Sequence, residues 1–249
     1  MKSLISISFF RYWREIMLKA VIFDMDGVIV DTEYIDFQLQ SDFIKSIAKH
    51  PEQLTHHDFS QLVGRSGRDL LERIQSLCQS DISFAEIYKG FDAINDQKYS
   101  QEMIKTHFRK DIVKIIEFAK KHGIALAIAS SSSKQHILKV LKTCRIDDAF
   151  NLIVSGEDFK ESKPNPAIYQ FVLRQLDIHA SEAIVIEDSP SGIAAAKSAG
   201  IPVIAYEEKR MLVDQSQANI ILPNMQAISE KIMKIVQEEK NFTEKNFDE

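Results

Sequence analysis

Six short apolar runs, separated by amphipathic stretches, constrain this 249-residue chain more than any other feature. They are KAVIF (19–23), IALAIA (124–129), NLIVS (151–155), AIVIE (183–187), IPVIAY (201–206) and NIIL (219–222). Most are unbroken rather than alternating, which suits strands buried on both faces of a parallel sheet. Between them the periodicity turns helical. DIVKIIEFAKKHG sets Ile112, Ile115, Ile116 and Ala119 along one stripe, with Gly123 just past its end. HILKVLK, AIYQFVLRQL and AISEKIMKIV repeat the theme. This alternation predicts a doubly wound α/β domain built on a parallel sheet.

The alternation has one long gap. From about residue 33 to about residue 107 no strand is legible, and helical stripes take over. They are Leu39, Phe43 and Ile47; Leu70, Ile74 and Leu77; and Ile87, Phe91 and Ile94. We therefore expect a helical-bundle cap over 34–106, inserted between two segments of the α/β core, 17–33 and 107–238. An insert at that point sits above the carboxyl edge of the sheet, where such sheets bind ligands, and reads as a lid. Residues 1–16 form an N-terminal extension in which Arg11, Arg14 and Glu15 follow a brief apolar stretch. No small-residue cleavage site is present, so it makes a poor secretory signal, and Met17 would be a natural start. Residues 239–249 read as a charged tail, a fraying helix end or disordered.

Composition excludes several classes of function. With 45% apolar and 27% charged residues the chain has the makeup of a soluble globular protein. A net charge of −5 without a basic stripe argues against nucleic-acid binding. No run approaches the roughly 20 apolar residues of a membrane span. Cys78 and Cys144 lack metal-ligand spacing and fit reduced thiols in the cytoplasm. We expect a monomer.

Chemistry gathers at four strand ends. The first carries Asp24 and Asp26, the second Ser130 to Ser133; Lys163 follows the third, and the fourth ends in Glu187 and Asp188. Singly, each has a simpler reading as a turn, a helix cap or a solvated lysine. A parallel sheet, however, projects all four ends to one edge. Up to four carboxylates would then face one lysine, and like charges at close range cost about 4 kcal/mol per pair at an effective dielectric near 20. Such a cluster needs a divalent cation, and all-oxygen ligands favour Mg²⁺ over zinc. A hydroxyl, a lysine and a helix N-terminus beside that cation make a phosphate cradle, which suggests phosphoryl transfer to an aspartate.

FDMDGVIVDT, AIASSSSK, SKPNPAIY and VIEDSPSGIAAAKSAG resemble, in order, the four motifs of the haloacid dehalogenase-like phosphohydrolases. The last resembles the subgroup of β-phosphoglucomutase and small sugar-phosphate phosphatases, which carries a helical cap after the first motif. The resemblance implies that Asp24 is the nucleophile and forms an aspartyl phosphate. It implies that Asp26 is the general acid/base, its backbone carbonyl touching the metal. Ser130 would bind the phosphoryl group with the amide of Ser131, and Lys163 would tie the nucleophile to the phosphate oxygens. Mg²⁺ would be held by Asp24, Asp26 and Asp188, with Glu187 a ligand or a partner behind the ligands. The implied activity is phosphatase action on a small phosphorylated metabolite such as a sugar phosphate.

Two departures separate the chain from the mutases it resembles. The gating histidine expected shortly after the first motif is replaced by Ile35 and Asp36, and the mutase cap lysine is not recognisable. Both favour the phosphatase, with a β-phosphoglucomutase-type phosphotransferase second. In LVGRSGRDL, Gly64, Arg65, Ser66 and Arg68 either lead into a helix or face the substrate. His50, His56 and His57 lack acid partners at ligand spacing and are expected on the surface. A phospho-accepting switch shares Asp, Ser, Lys and Mg²⁺, but its acceptor would end a later strand, and none does here.

Overall fold

The computed structural model describes residues 17–62 and 67–247. The expectations for residues 1–16 and for Gly64, Arg65 and Ser66 lie outside these. Strands β1 (Ala20–Phe23), β2 (Ala125–Ser130), β3 (Leu152–Ser155), β4 (Ala183–Glu187), β5 (Val203–Tyr206) and β6 (Ile220–Leu222) form one sheet in the order β3-β2-β1-β4-β5-β6. Every pairing is parallel. Strand β1 is central and wholly buried because both its faces are covered. Val21 and Phe23 pack into one hydrophobic cluster, and Ala20 and Ile22 into the other. This is why the run is unbroken in sequence. Phe23 pairs with Ile128 and Ile186, so Asp24 emerges level with the ends of both neighbours.

The gap after β1 is helical. Helices α1 (Glu33–Ile47), α2 (His56–Ser60), α3 (Gly67–Cys78) and α4 (Phe84–Lys98) enclose a separate cluster around Ile44, Phe59, Ile74 and Ile87. Capping boxes start α2 at Thr55 with Asp58, and α4 at Ser83 with Glu86. Helix α5 (Gln101–His107) falls inside the segment expected to be cap, yet Tyr99 and Ile104 belong to the sheet's own cluster. The chain thus packs with the core from Tyr99 onward, Ile104 being fully buried in the sheet's cluster.

Helices α6 (Ile112–His122), α7 (Lys134–Cys144), α8 (Ala167–Leu176), α9 (Pro190–Ser198) and α10 (Met225–Phe247) complete the layers. Helix α10 continues to Phe247, through most of the stretch expected to be a tail. Among the described residues no helix is long and apolar enough to cross a membrane. Two crossings join cap to core side by side: the Asp31 amide donates to the His107 carbonyl at 2.9 Å. Arg109 and Arg210 both donate to the Asp31 carboxylate, at 2.9 Å and 2.7–2.8 Å.

Candidate active site

The sheet's carboxyl edge gathers the predicted residues. Lys163 is buried and donates to Asp24 Oδ1 at 2.6 Å, to Glu187 Oε1 at 2.7 Å and to the Ala129 carbonyl at 2.9 Å. One ammonium therefore ties three strand ends together. Burial would lower its pKa, but Asp24 and Glu187 hold it well above the ordinary lysine value. Burial pushes Asp24 up to about 7 despite Lys163, with Glu187 and Asp26 adding to the rise. Ser130 is buried at the end of β2 and accepts from the Ser132 amide at 3.1 Å. Asp24, Ser130, Ser131, Lys163 and Asp188 all line one cavity of about 270 Å³, roofed by the cap. Gly27 turns the chain after the acids with φ +77°, and a Cβ there would stand 1.9 Å from Asp188 Oδ2.

Asp26 lies two residues from Asp24 in a different environment. Its carboxylate accepts from Thr32 Oγ1 at 2.5 Å, Ser132 Oγ at 2.6 Å and Tyr99 Oη at 2.8 Å. Lys98 Nζ stands 3.6 Å away and also pairs with Asp36 at 3.7 Å. Burial alone would raise its pKa, but Lys98 and the three hydroxyls hold Asp26 below the usual carboxylate range. The sequence reading missed Lys98 and Tyr99. Lys98 ends a helix of mixed polarity and looks solvated in sequence; only the fold buries it. Lys98 thus lines the cavity from the last residue of α4.

Oxygen ligands for a cation are present. Carboxylate oxygens of Asp24, Glu187 and Asp188 lie within 4.8 Å of one another. Asp188 Oδ1 is buried without a hydrogen-bond partner, and burial with Glu33, Glu187 and Asp24 nearby pushes its pKa well above normal. An orphaned oxygen among mutually repelling carboxylates fits a hard divalent cation. Glu187 belongs to that group, and its oxygens also accept from Lys163, Tyr169, the Asp188 amide, and the Ser189 amide and hydroxyl. The Asp26 carboxylate is not among those three and accepts from its hydroxyl donors instead. Arg68, for which helix entry and substrate contact were both open, lies in α3, is 82% exposed and pairs with Glu72 at 2.6 Å, one helical turn on.

A parallel sheet with a carboxylate pair, a buried lysine and a cation-ready acid cluster at its carboxyl edge defines a phosphohydrolase-type α/β protein. The family of haloacid dehalogenase-like hydrolases matches residues 21–206, and the chain belongs to that family. It is an enzyme of the phosphatase kind. Over 184 residues it is 32% identical to a phosphorylated carbohydrates phosphatase of Thermotoga maritima, covering 74% of this chain and 82% of that one. It is similar in structure to β-phosphoglucomutase of Clostridium difficile, with TM-score 0.68 and 24% identity over 89% of this chain and 98% of that one. The CbbY protein of Rhodobacter sphaeroides, solved with xylulose 1,5-bisphosphate, gives TM-score 0.65 and 24% identity over 84% and 96% of the two chains.

Proposed function

We propose that the chain is a Mg²⁺-dependent phosphatase of a small phosphorylated carbohydrate, acting through an aspartyl phosphate. The observation that carries this reading is the Lys163 ammonium, hydrogen-bonded to Asp24 at 2.6 Å on the floor of a cavity that also holds Ser130 and the orphaned Asp188 oxygen. A cavity of about 270 Å³ is near the low end of the roughly 300–1,000 Å³ usual for ligand pockets, which favours a small metabolite.

In this reading Asp24 attacks phosphorus, and the bond from phosphorus to the substrate oxygen breaks. Asp26 in its protonated form gives that oxygen its proton. A water then attacks the same phosphorus, yields its proton to Asp26, and frees Asp24 and phosphate. Ser130, the Ser131 amide and Lys163 hold the phosphoryl oxygens, while Glu187 and Tyr169 keep Lys163 aimed. The strong donors around Asp26 favour its ionised, proton-accepting half of the cycle. Asp24 and Asp188, with the Asp26 carbonyl, would hold Mg²⁺, which supplies charge neutralisation for phosphate and nucleophile.

Mg²⁺-dependent release of phosphate from p-nitrophenyl phosphate, lost in Asp24→Asn, is the expected result. No release with any divalent metal would overturn the proposal. A phosphotransferase is the second reading, favoured by Lys98 reaching in from the cap. Conversion of β-glucose 1-phosphate to glucose 6-phosphate faster than its hydrolysis would replace the first reading with this one. We further propose that it acts in the cytoplasm.

A further inference from the structure

The cap's contribution to the cavity lining carries information about the rest of the substrate. The roof is an apolar wall of Phe37, Ile44, Phe59, Leu62 and Leu70. Beside that wall stand two acids from the first turn of α1, Glu33 and Asp36. Among the described lining residues the cations are Lys98 and Lys163, and each is already held between two carboxylates. A second anionic group on the substrate would find no uncommitted cation among these residues, and would meet the two acids instead. At close range in a partly buried site, each such like-charge contact costs about 4 kcal/mol.

Asp36 is engaged, accepting from Gln40 at 2.8 Å and pairing with Lys98. Glu33 differs. It lines the cavity but makes no hydrogen bond or ion pair to another described residue. Burial, with Asp26, Asp36 and Asp24 nearby, pushes its carboxyl up to about 8 even against Lys98. A half-buried carboxyl without a partner among the described residues, facing a cavity, is completed by a ligand that brings hydroxyls.

We propose that Glu33 is a specificity-determining residue that hydrogen-bonds the hydroxyls of an uncharged carbohydrate or polyol bearing a single phosphate, and that this part of the cavity rejects substrates with a carboxylate or second phosphate. The proposal rests on the phosphatase reading for its kinetics but not for its binding order. Apolar side chains opposite Glu33 suit the C–H face of such a carbohydrate while its hydroxyls turn to the acid.

The test uses matched pairs: glucose 6-phosphate against 6-phosphogluconate, and fructose 6-phosphate against fructose 1,6-bisphosphate. The expected result is kcat/KM at least roughly tenfold higher for the uncharged member of each pair. Glu33→Gln is expected to shrink that ratio several-fold, and Glu33→Asp to restore part of it. Binding of the same compounds to Asp24→Asn with Mg²⁺ is expected to follow the same order without turnover. This arm also serves if Glu33→Gln proves too slow to assay. Preference for the anionic member, or a ratio that Glu33→Gln leaves unmoved in both assays, overturns the proposal. An inactive wild-type enzyme that still binds in the expected order sinks the phosphatase reading and leaves the role of Glu33 standing.

Discussion

The floor and the roof of the cavity are built on different principles. Floor residues sit at strand ends, and sheet register fixes their relative heights: Phe23 lies level with Ile128 and Ile186, so Asp24 and Glu187 emerge together with Ser130 one residue further on. Roof residues come from a four-helix cap with its own hydrophobic cluster, joined to the core by two adjacent crossings. On the floor nearly every polar group is engaged, and Lys163 alone spans three strands. On the roof Glu33 has no described partner. The rigid part can specify a reaction and the separable part a substrate, because only the floor must hold its geometry without a ligand.

Substitutions can break that comparison or sharpen it. The largest effect is expected from Lys163→Met, which leaves Asp24 and Glu187 buried and unpaired. It should cost about 3–5 kcal/mol of unfolding free energy, measured by urea denaturation, along with nearly all phosphatase activity. A loss under 1 kcal/mol would mean the floor is not held by that ammonium. Ile74→Ala, at a fully buried site in the cap's cluster, should cost about 2–5 kcal/mol. Hydrogen exchange should then rise in α1 to α4 while β1, β2 and β4 stay protected. Exchange rising equally in the sheet would show that cap and core unfold as one unit.

Tyr99 belongs to the core yet holds Asp26 beside the cap's Lys98, so it probes the seam. Tyr99→Phe removes one donor from a buried carboxylate and should cost about 1.5–3 kcal/mol by the same denaturation measurement. An unchanged midpoint would place Asp26 outside the buried network. The smallest effect is expected at the crossing. Burial would raise the Asp31 carboxyl, but hydrogen bonds from Arg210 and the charge of Arg109 hold it below the usual range. A depressed carboxyl contributes stability above its unfolded pKa of about 3.9 and loses it as pH falls through the folded value. Arg210 is 38% exposed, so the contribution should be only roughly 0.2–1 kcal/mol. Asp31→Asn should remove that acid-side slope; an identical stability profile below pH 4 would show the clasp to be idle.

Much of the floor was legible because its chemistry coincides with strand ends. Apolar runs announce buried strands, and whatever polar residue closes each run must lie at the edge. Asp24, Ser130 and Glu187-Asp188 could be found that way, Lys163 followed the third run, and the helical gap announced an insertion. The limits of the cap were not legible in the same way. Ile104 continues a helical pattern but packs on the sheet's cluster, which periodicity alone does not distinguish.

Local sequence by itself determined the parallel α/β plan, the helical stretch after the first strand and the acids that close the strands. It did so because burial on both faces and turn chemistry leave periodic marks along the chain. Only tertiary structure decided that Glu187 would accept from Lys163, that Arg68 would turn to solvent, and that Lys98 and Glu33 would enter the cavity. Those outcomes depend on which residues meet across the seam between cap and core. Burial, pairing and desolvation there are set by distant partners, and no neighbour in the chain records them.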